Sequence, residues 1–344
     1  MNSTNTSTFI LTQRLKLLLG GINGLFTAEG ALQLIGNLLI LTAILHNKNL
    51  RRKEYIYIAA LALGDLFSGV NLLFSGVTRL YLVATEQYFS LIPVVDCFHR
   101  PMIHSLLLCM FLIPTMQLIV SIDRFIACSS IHIYSKISTT VNCLFAGSAI
   151  VISLFMYLVC LYLSLYHIKG NDGLVPQHCY FGLTAPYVVK QIVYYYVVTI
   201  AITSNVTYVL ALLLLRGVVK TNLSETMRRN HDRQLAVTKT LSWVMLFSFF
   251  FATLPVLAMM YATLSRTKVA VFIIKSGLGG LLYIICNINS LNNVFIYWYK
   301  NKALKSGILS IFGIHDAESE KKTSKTASGH GKKMTGPKLP AKIK

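Results

Sequence analysis

The sequence predicts an all-α membrane protein: a seven-transmembrane helix bundle with a short amphipathic helix after the last span. Three observations carry this. Of 344 residues, 54% are hydrophobic and only 13% are charged, about half the charged fraction of a soluble domain. The mean hydropathy is +0.60. The apolar residues also gather into seven runs, at about 22–46, 55–81, 101–126, 141–167, 187–216, 236–262 and 269–299. Each run is long enough to cross about 30 Å of hydrocarbon as a helix.

A net charge of +20 would by itself point to a nucleic-acid partner. Its distribution argues against one. Lys and Arg collect at Lys48, Arg51, Arg52 and Lys53, at Lys220, Arg228, Arg229 and Arg233, and after Tyr299. With seven spans these positions share one side, and the opposite loops (82–100, 168–186, 263–268) are nearly balanced. Basic loops stay cytoplasmic, so the expected topology is N-terminus outside, C-terminus inside, in the plasma membrane.

The segments follow from this topology. Residues 1–21 form an extracellular N-terminus with glycan acceptors at Asn2 and Asn5. No cleavable signal is apparent, because the first apolar run is too long and too far from a charged start. Residues 22–299 form the membrane domain. Residues 300–313 place Leu304, Ile308, Ile311 and Phe312 opposite Lys302 and Lys305, which reads as an amphipathic helix in the inner interface. The alternative is a frayed end of the last span. Residues 314–344 have too few apolar residues for a core and are expected to be a disordered basic tail attracted to anionic lipid.

Five of the seven cysteines lie in or against the spans, where a thiol acts as a small apolar group. Only Cys97 and Cys179 fall in outer loops, the oxidising side, so one disulfide between them is expected.

Ionisable residues inside spans are functional candidates by default. They are Glu29, Asp65, Asp123 with Arg124, and Lys275. Asn37, Asp65, Asn289 and Asn293 fall about midway across the membrane, where amides are the available donors for a carboxylate. Isolated polar groups of this kind act as helix–helix glue, worth about 0.6 kcal/mol each. An array matched to the first, second and seventh helices asks for more.

These residues also carry a resemblance. Gly36-Asn37, "LALGD" ending at Asp65, "SIDRFIA" with Asp123-Arg124-Phe125, and "NSLNNVFIY" each fall in order on their own helix. Together they resemble the landmarks of the rhodopsin-like (class A) G protein-coupled receptors over residues 22–312. Tyr134, Tyr208 and Pro255 support the match. The opening "DCF" and Gln117 are similar to nematode serpentine chemoreceptors of the Srsx class.

The resemblance implies an outside ligand cleft, a heterotrimeric G protein as inside partner (with arrestin a further one), and no enzymatic chemistry, metal or cofactor. It implies a central polar network of Asn37, Asp65, Asn289, Ser290 and Asn293, able to hold a sodium ion near Asp65. Asp123, Arg124, Tyr208 and Tyr297 are implied as the coupling switch.

The chain departs from the family pattern at several points. Val294 stands for the proline between Asn293 and Tyr297, which should leave the last span straighter. Ala252-Thr253-Leu254-Pro255 lacks the indole of the sixth helix, and Phe249 is expected to take part of its packing. Leu235 replaces an acidic partner of Arg124, and together with Thr253 it suggests elevated basal activity. Cys97 lies two residues further from Arg124 than the family's usual cysteine.

Asn287 occupies the position of a retinal-binding lysine and Leu106 that of an amine-pairing aspartate, so both ligand chemistries are excluded. The outer third offers Arg79, His104, Tyr194, Thr253 and Lys275 as pocket candidates, with Glu29 a partner for Lys275. This set favours an anionic ligand. The alternative is that Arg79, Arg100 and Lys190 snorkel to the headgroups. A chemosensory or orphan receptor is the main reading, a neuropeptide receptor the alternative. A transporter or channel lacks an inverted repeat, and an intramembrane hydrolase lacks paired acids.

Overall fold

The computed structural model describes residues 13–168, 173–218, 225–265 and 278–314. Asn2, Asn5, Lys275 and the tail from 315 lie outside the described residues.

Seven long helices are followed by a short one. They are α1 Gln13–His46, α2 Lys53–Ala84, α3 Pro101–Ser129, α4 Thr139–Ile168 and α5 Tyr187–Val218. Next, α6 runs in three parts: Glu225–Ser248, a π-helical turn Phe249–Thr253, and Leu254–Leu264. Then come α7 Leu278–Lys300 and α8 Lys302–Ile311. The first six are long and apolar enough to cross a membrane. The described part of α7 reads as less apolar because it carries Asn287, Asn289, Asn292 and Asn293. α1 already begins at Gln13, within the stretch expected as N-terminal segment. Its 34 residues span about 51 Å, more than the bilayer core needs. Lys16, on its first turns, pairs with Glu86 beyond the end of α2.

Burial sorts the helices. In the most apolar window of α3, 61% of residues are buried, against 17% for α4. α3 therefore runs through the bundle, and α4 sits at its edge with Phe155 and Tyr162 facing outward. α1 and α2 approach closely because Gly30, Gly69 and Gly76 face the partner helix. A Cβ on Gly30 would lie 2.4 Å from the Leu73 nitrogen. Small residues that let backbones meet are the usual basis of membrane helix packing. α1 meets α7 in the same way: a Cβ on Gly36 would lie 2.9 Å from both Val294 methyls. Valine at this position fills the notch that glycine leaves.

At one end of the bundle, strand β1 (Leu91–Pro93) pairs antiparallel with β2 (Leu174–Pro176), Ile92 opposite Val175. A short helix, Val94–Phe98, then leads to Pro101 at the start of α3. This insertion explains the offset of Cys97. The cysteine sits before α3 rather than in it, and still bonds Cys179 with the Cα atoms 5.5 Å apart. Val94, Phe98, Met102, Ile168 and Val175 pack around the bridge.

At the other end, α7 stops at Asn301, whose extended backbone (φ −110°, ψ 90°) breaks the helix. The Asn301 side chain accepts from the Leu304 N–H at 3.0 Å, capping α8. Leu304, Gly307 and Ile308 are buried, and Gly307 leaves room for Leu50. α8 is therefore a separate amphipathic helix and not a frayed continuation. Phe312 lies past its end and is exposed.

Candidate functional site

The central network forms where α2 meets α7. Asp65 accepts from Ser290 Oγ at 2.6 Å and from Asn293 Nδ2 at 2.8 Å. The three-residue spacing of Ser290 and Asn293 puts both donors on one face of α7. The other two expected amides do not donate to Asp65. Asn37 Nδ2 donates to the Gln33 carbonyl on its own helix, and the side-chain oxygens of Asn37 and Asn289 are buried without a partner.

Three residues outside the expected set complete the network. Gln33 donates to the Asn287 backbone oxygen at 2.7 Å, and Ser68 to the Asn287 side-chain oxygen at 3.2 Å. Gln33 lies one turn before Asn37 on the same face, a spacing that could have marked it. A carboxylate beside unpartnered amide oxygens of Asn289 and Asn293 is a donor set that a hard cation takes. The residues thus fit a sodium ion.

The second cluster lies at the α8 end of α3. Arg124 is 0% exposed. Its Nε donates to Asp123 Oδ2 at 2.8 Å, its Nη2 also reaches that oxygen, and Nη2 donates to the Tyr134 hydroxyl at 3.0 Å. The Tyr134 hydroxyl in turn donates to Asp123 Oδ2 at 3.4 Å. Lys53 lies 4.3 Å over the Tyr134 ring and holds its backbone oxygen. Tyr208 and Tyr297, both implied in the switch, lie in one core cluster and make different polar contacts. Tyr208 donates to the Thr238 carbonyl at 2.6 Å, joining α5 to α6. The Tyr297 hydroxyl is buried with no partner.

A cavity opens between α2, α3, α5, α6 and α7. Met110, Pro114, Gln117, Thr253, Tyr283, Cys286, Asn289 and Ser290 are among its lining residues, and among the described residues none of that lining is charged. Gln117 donates to Ser248 Oγ at 2.9 Å, binding α3 to α6 beside the π turn. Thr253 lines this cavity as expected, and Asn205 reaches it at 3.5 Å. Phe249 does not take the place of the missing indole. It is 37% exposed and lines an outward groove between α5 and α6, because the register of α6 turns it away from the bundle.

A smaller cavity lies nearer the disulfide and is lined by Arg79, Tyr180, Tyr194 and Tyr283 among others. Arg79 does not snorkel. It is 7% exposed, donates from Nε to the His178 carbonyl at 3.2 Å, and sits about 6 Å from the Phe26 and Tyr180 rings. Lys190 likewise donates to the Gly182 carbonyl at 3.1 Å.

His104 lines neither cavity. It falls on the α4 side of α3, with Nδ1 3.1 Å from the Tyr157 hydroxyl and its ring edge-on to Phe98. His178, which the sequence did not mark, stacks on Tyr88 at 4.5 Å and donates from Nδ1 to the Tyr88 carbonyl at 3.1 Å. Burial holds its imidazole down to about 4; the Tyr88 bond opposes this and the Arg79 charge adds to it.

Helices that cross a membrane, a polar core between α2 and α7, and a buried Asp-Arg pair at one end define a multi-pass membrane receptor scaffold. The chain belongs to the rhodopsin family of seven-transmembrane receptors, whose family model matches residues 36–297. It is accordingly a class A G protein-coupled receptor. It signals through heterotrimeric G proteins and is not an enzyme.

Proposed function

We propose that this receptor takes a small, uncharged, largely apolar ligand from outside the cell. We further propose that it serves a chemosensory role, as a resemblance of "DCF" and Gln117 to the Srsx class would imply. One observation carries the reading: Ser290 lines the larger cavity and also donates to Asp65. A ligand touching the cavity floor therefore perturbs the hydrogen bond that holds α7 to α2. Signalling then follows if the ligand favours one of two packings, by a coupling of typically 1–3 kcal/mol. Asp123, Arg124, Tyr208 and Tyr297 would form the switch on the G-protein side. The β1–β2 pair and the disulfide cross the same end as the smaller cavity, which favours a small molecule over a neuropeptide.

A second reading keeps the anionic ligand. Arg79 lines the smaller cavity between aromatic rings, a setting suited to a carboxylate. The orientation with residues 1–21 outside and 300–344 inside, and the glycans at Asn2 and Asn5, belong to the same proposal.

The test is nucleotide exchange on G proteins in receptor-containing membranes, with panels of neutral odorant-sized molecules and of small carboxylates. On the main reading a neutral compound raises exchange, Thr253→Trp abolishes the response by filling the cavity, and Arg79→Gln keeps it. Responses to carboxylates alone, lost in Arg79→Gln, would replace the main reading with the second. Ser290→Ala should alter the ligand-free rate, and an unchanged rate would remove Ser290 as the link.

A further inference from the structure

Buried polar atoms in a folded protein are almost always partnered. Along the face where α1 meets α7, they are not. Both carboxylate oxygens of Glu29, the side-chain oxygens of Gln33, Asn37, Asn289 and Asn293, and the Tyr297 hydroxyl are all buried without a partner. The positions repeat every four residues on each helix, so each set forms one line down its helix. Asn292, whose orphaned atom is a donor, stands one residue off the line.

The donors of this seam are largely spent. Gln33 Nε2 is held by the Asn287 carbonyl, Asn37 Nδ2 by the Gln33 carbonyl, and Asn293 Nδ2 by Asp65. What remains beside the one acid of the seam, Glu29, which is 6% exposed, is the unpartnered Gln33 oxygen one turn along α1.

Neighbouring contacts place Glu29 on the α7 side of α1. One turn outward, the Phe26 ring lies 5.5 Å from that of Tyr283. One turn inward, Gln33 bonds the Asn287 carbonyl. On α2, Gly30 packs at Leu73 and Gly69, and Arg79 turns away to the His178 carbonyl. No described basic side chain pairs with Glu29.

A bare carboxylate in this setting carries a large desolvation cost, which a positive charge must offset. A proton would serve only one oxygen, whereas a cation gathers several. We propose that Glu29 and Gln33 form a cation site in the α1–α7 seam, taking a monovalent alkali ion with its water. It lies about 12 Å along the helix axis from Asn37 and is separate from any ion at Asp65. The bound ion sits on the α7 side of α1, so the salt content of the medium sets how stably that face of α1 packs.

The experiment uses the full chain in detergent or nanodiscs at pH 8 and constant ionic strength. Sodium, potassium or lithium replaces N-methylglucamine, and thermal unfolding is followed. Asp65→Asn serves as background to silence the other site. The expected result is a rise in Tm of about 2–4 °C with one of the alkali ions. The rise persists in Asp65→Asn and is lost when Glu29→Gln or Gln33→Met is added. Should Asp65→Asn not fold, the same comparison in the parent reads as a part of the ion response that Glu29→Gln removes.

Three outcomes overturn the site. One is an ion response unaffected by Glu29→Gln. Another is a Tm that depends on pH through Glu29 but on no alkali ion, which assigns a proton. The third is an ion response absent in the parent and present only in Lys275→Met, which assigns the lysine as counter-charge.

Discussion

Two buried acids, Asp123 and Glu29, sit in similar apolar surroundings and are handled in opposite ways. Asp123 is met by the Arg124 guanidinium, which also binds Tyr134, so donors and acceptors close on one another. Glu29 has no donor among the described residues, and the amides along its seam have turned their N–H groups elsewhere. The difference teaches that burial of charge has two solutions. A closed pair holds a conformation from within, whereas an acid beside an unpartnered acceptor leaves that face of α1 open to something that comes from solution.

The sharpest way to break this comparison is Arg124→Leu. It strands Asp123 as an uncompensated buried charge and should cost about 3–5 kcal/mol in unfolding experiments. Asp123→Asn/Arg124→Leu should recover most of that loss. A single variant as stable as the parent would mean the pair is not closed.

Next is His178, half-buried at the disulfide end, whose hydrogen-bond partner is a carbonyl. Its folded imidazole titrates at about 4, against about 6.5 when unfolded. The unfolded state therefore binds more protons between these values. Stability is full above about pH 6.5 and falls as pH drops towards 4, by up to about 3 kcal/mol. Unfolding of the disulfide end followed over this range should show that slope, and His178→Gln should flatten it.

A comparable or smaller effect probes the seam itself. Gly36→Ala drives a Cβ against Val294 and should cost about 1–3 kcal/mol. Val294→Ala added to it should restore most of the loss, a coupling read by a double-mutant cycle. Purely additive effects would mean α1 and α7 do not meet there. The smallest effect is Asn301→Ala, which removes the α8 cap for about 1 kcal/mol, measured as lost helicity or a lowered Tm.

Legibility in the sequence tracks how local each cause is. Asn293 was readable as a partner of Asp65 from its depth in the last span, and Ser290 from the resemblance. The amphipathic α8 was readable from Leu304 and Ile308, although Phe312 fell past its end. Arg79 was not. A cation near a helix end snorkels or turns inward depending on what waits inside, here the His178 carbonyl delivered by a distant loop. His104 and Phe249 were misjudged through the rotation of their helices, which neighbours set. His104 faces Tyr157, and Phe249 faces the outer groove.

Val294 shows the division most plainly. As sequence it is a missing proline, and as structure it is the surface that Gly36 accommodates. The sequence by itself determined the helical class, the family and the number of spans, because length, hydropathy and helical spacing are properties of single segments. Only the tertiary structure decided which of the polar groups are paired. A hydrogen bond in a membrane needs a second helix at the right rotation, and that rotation comes from packing across the whole bundle.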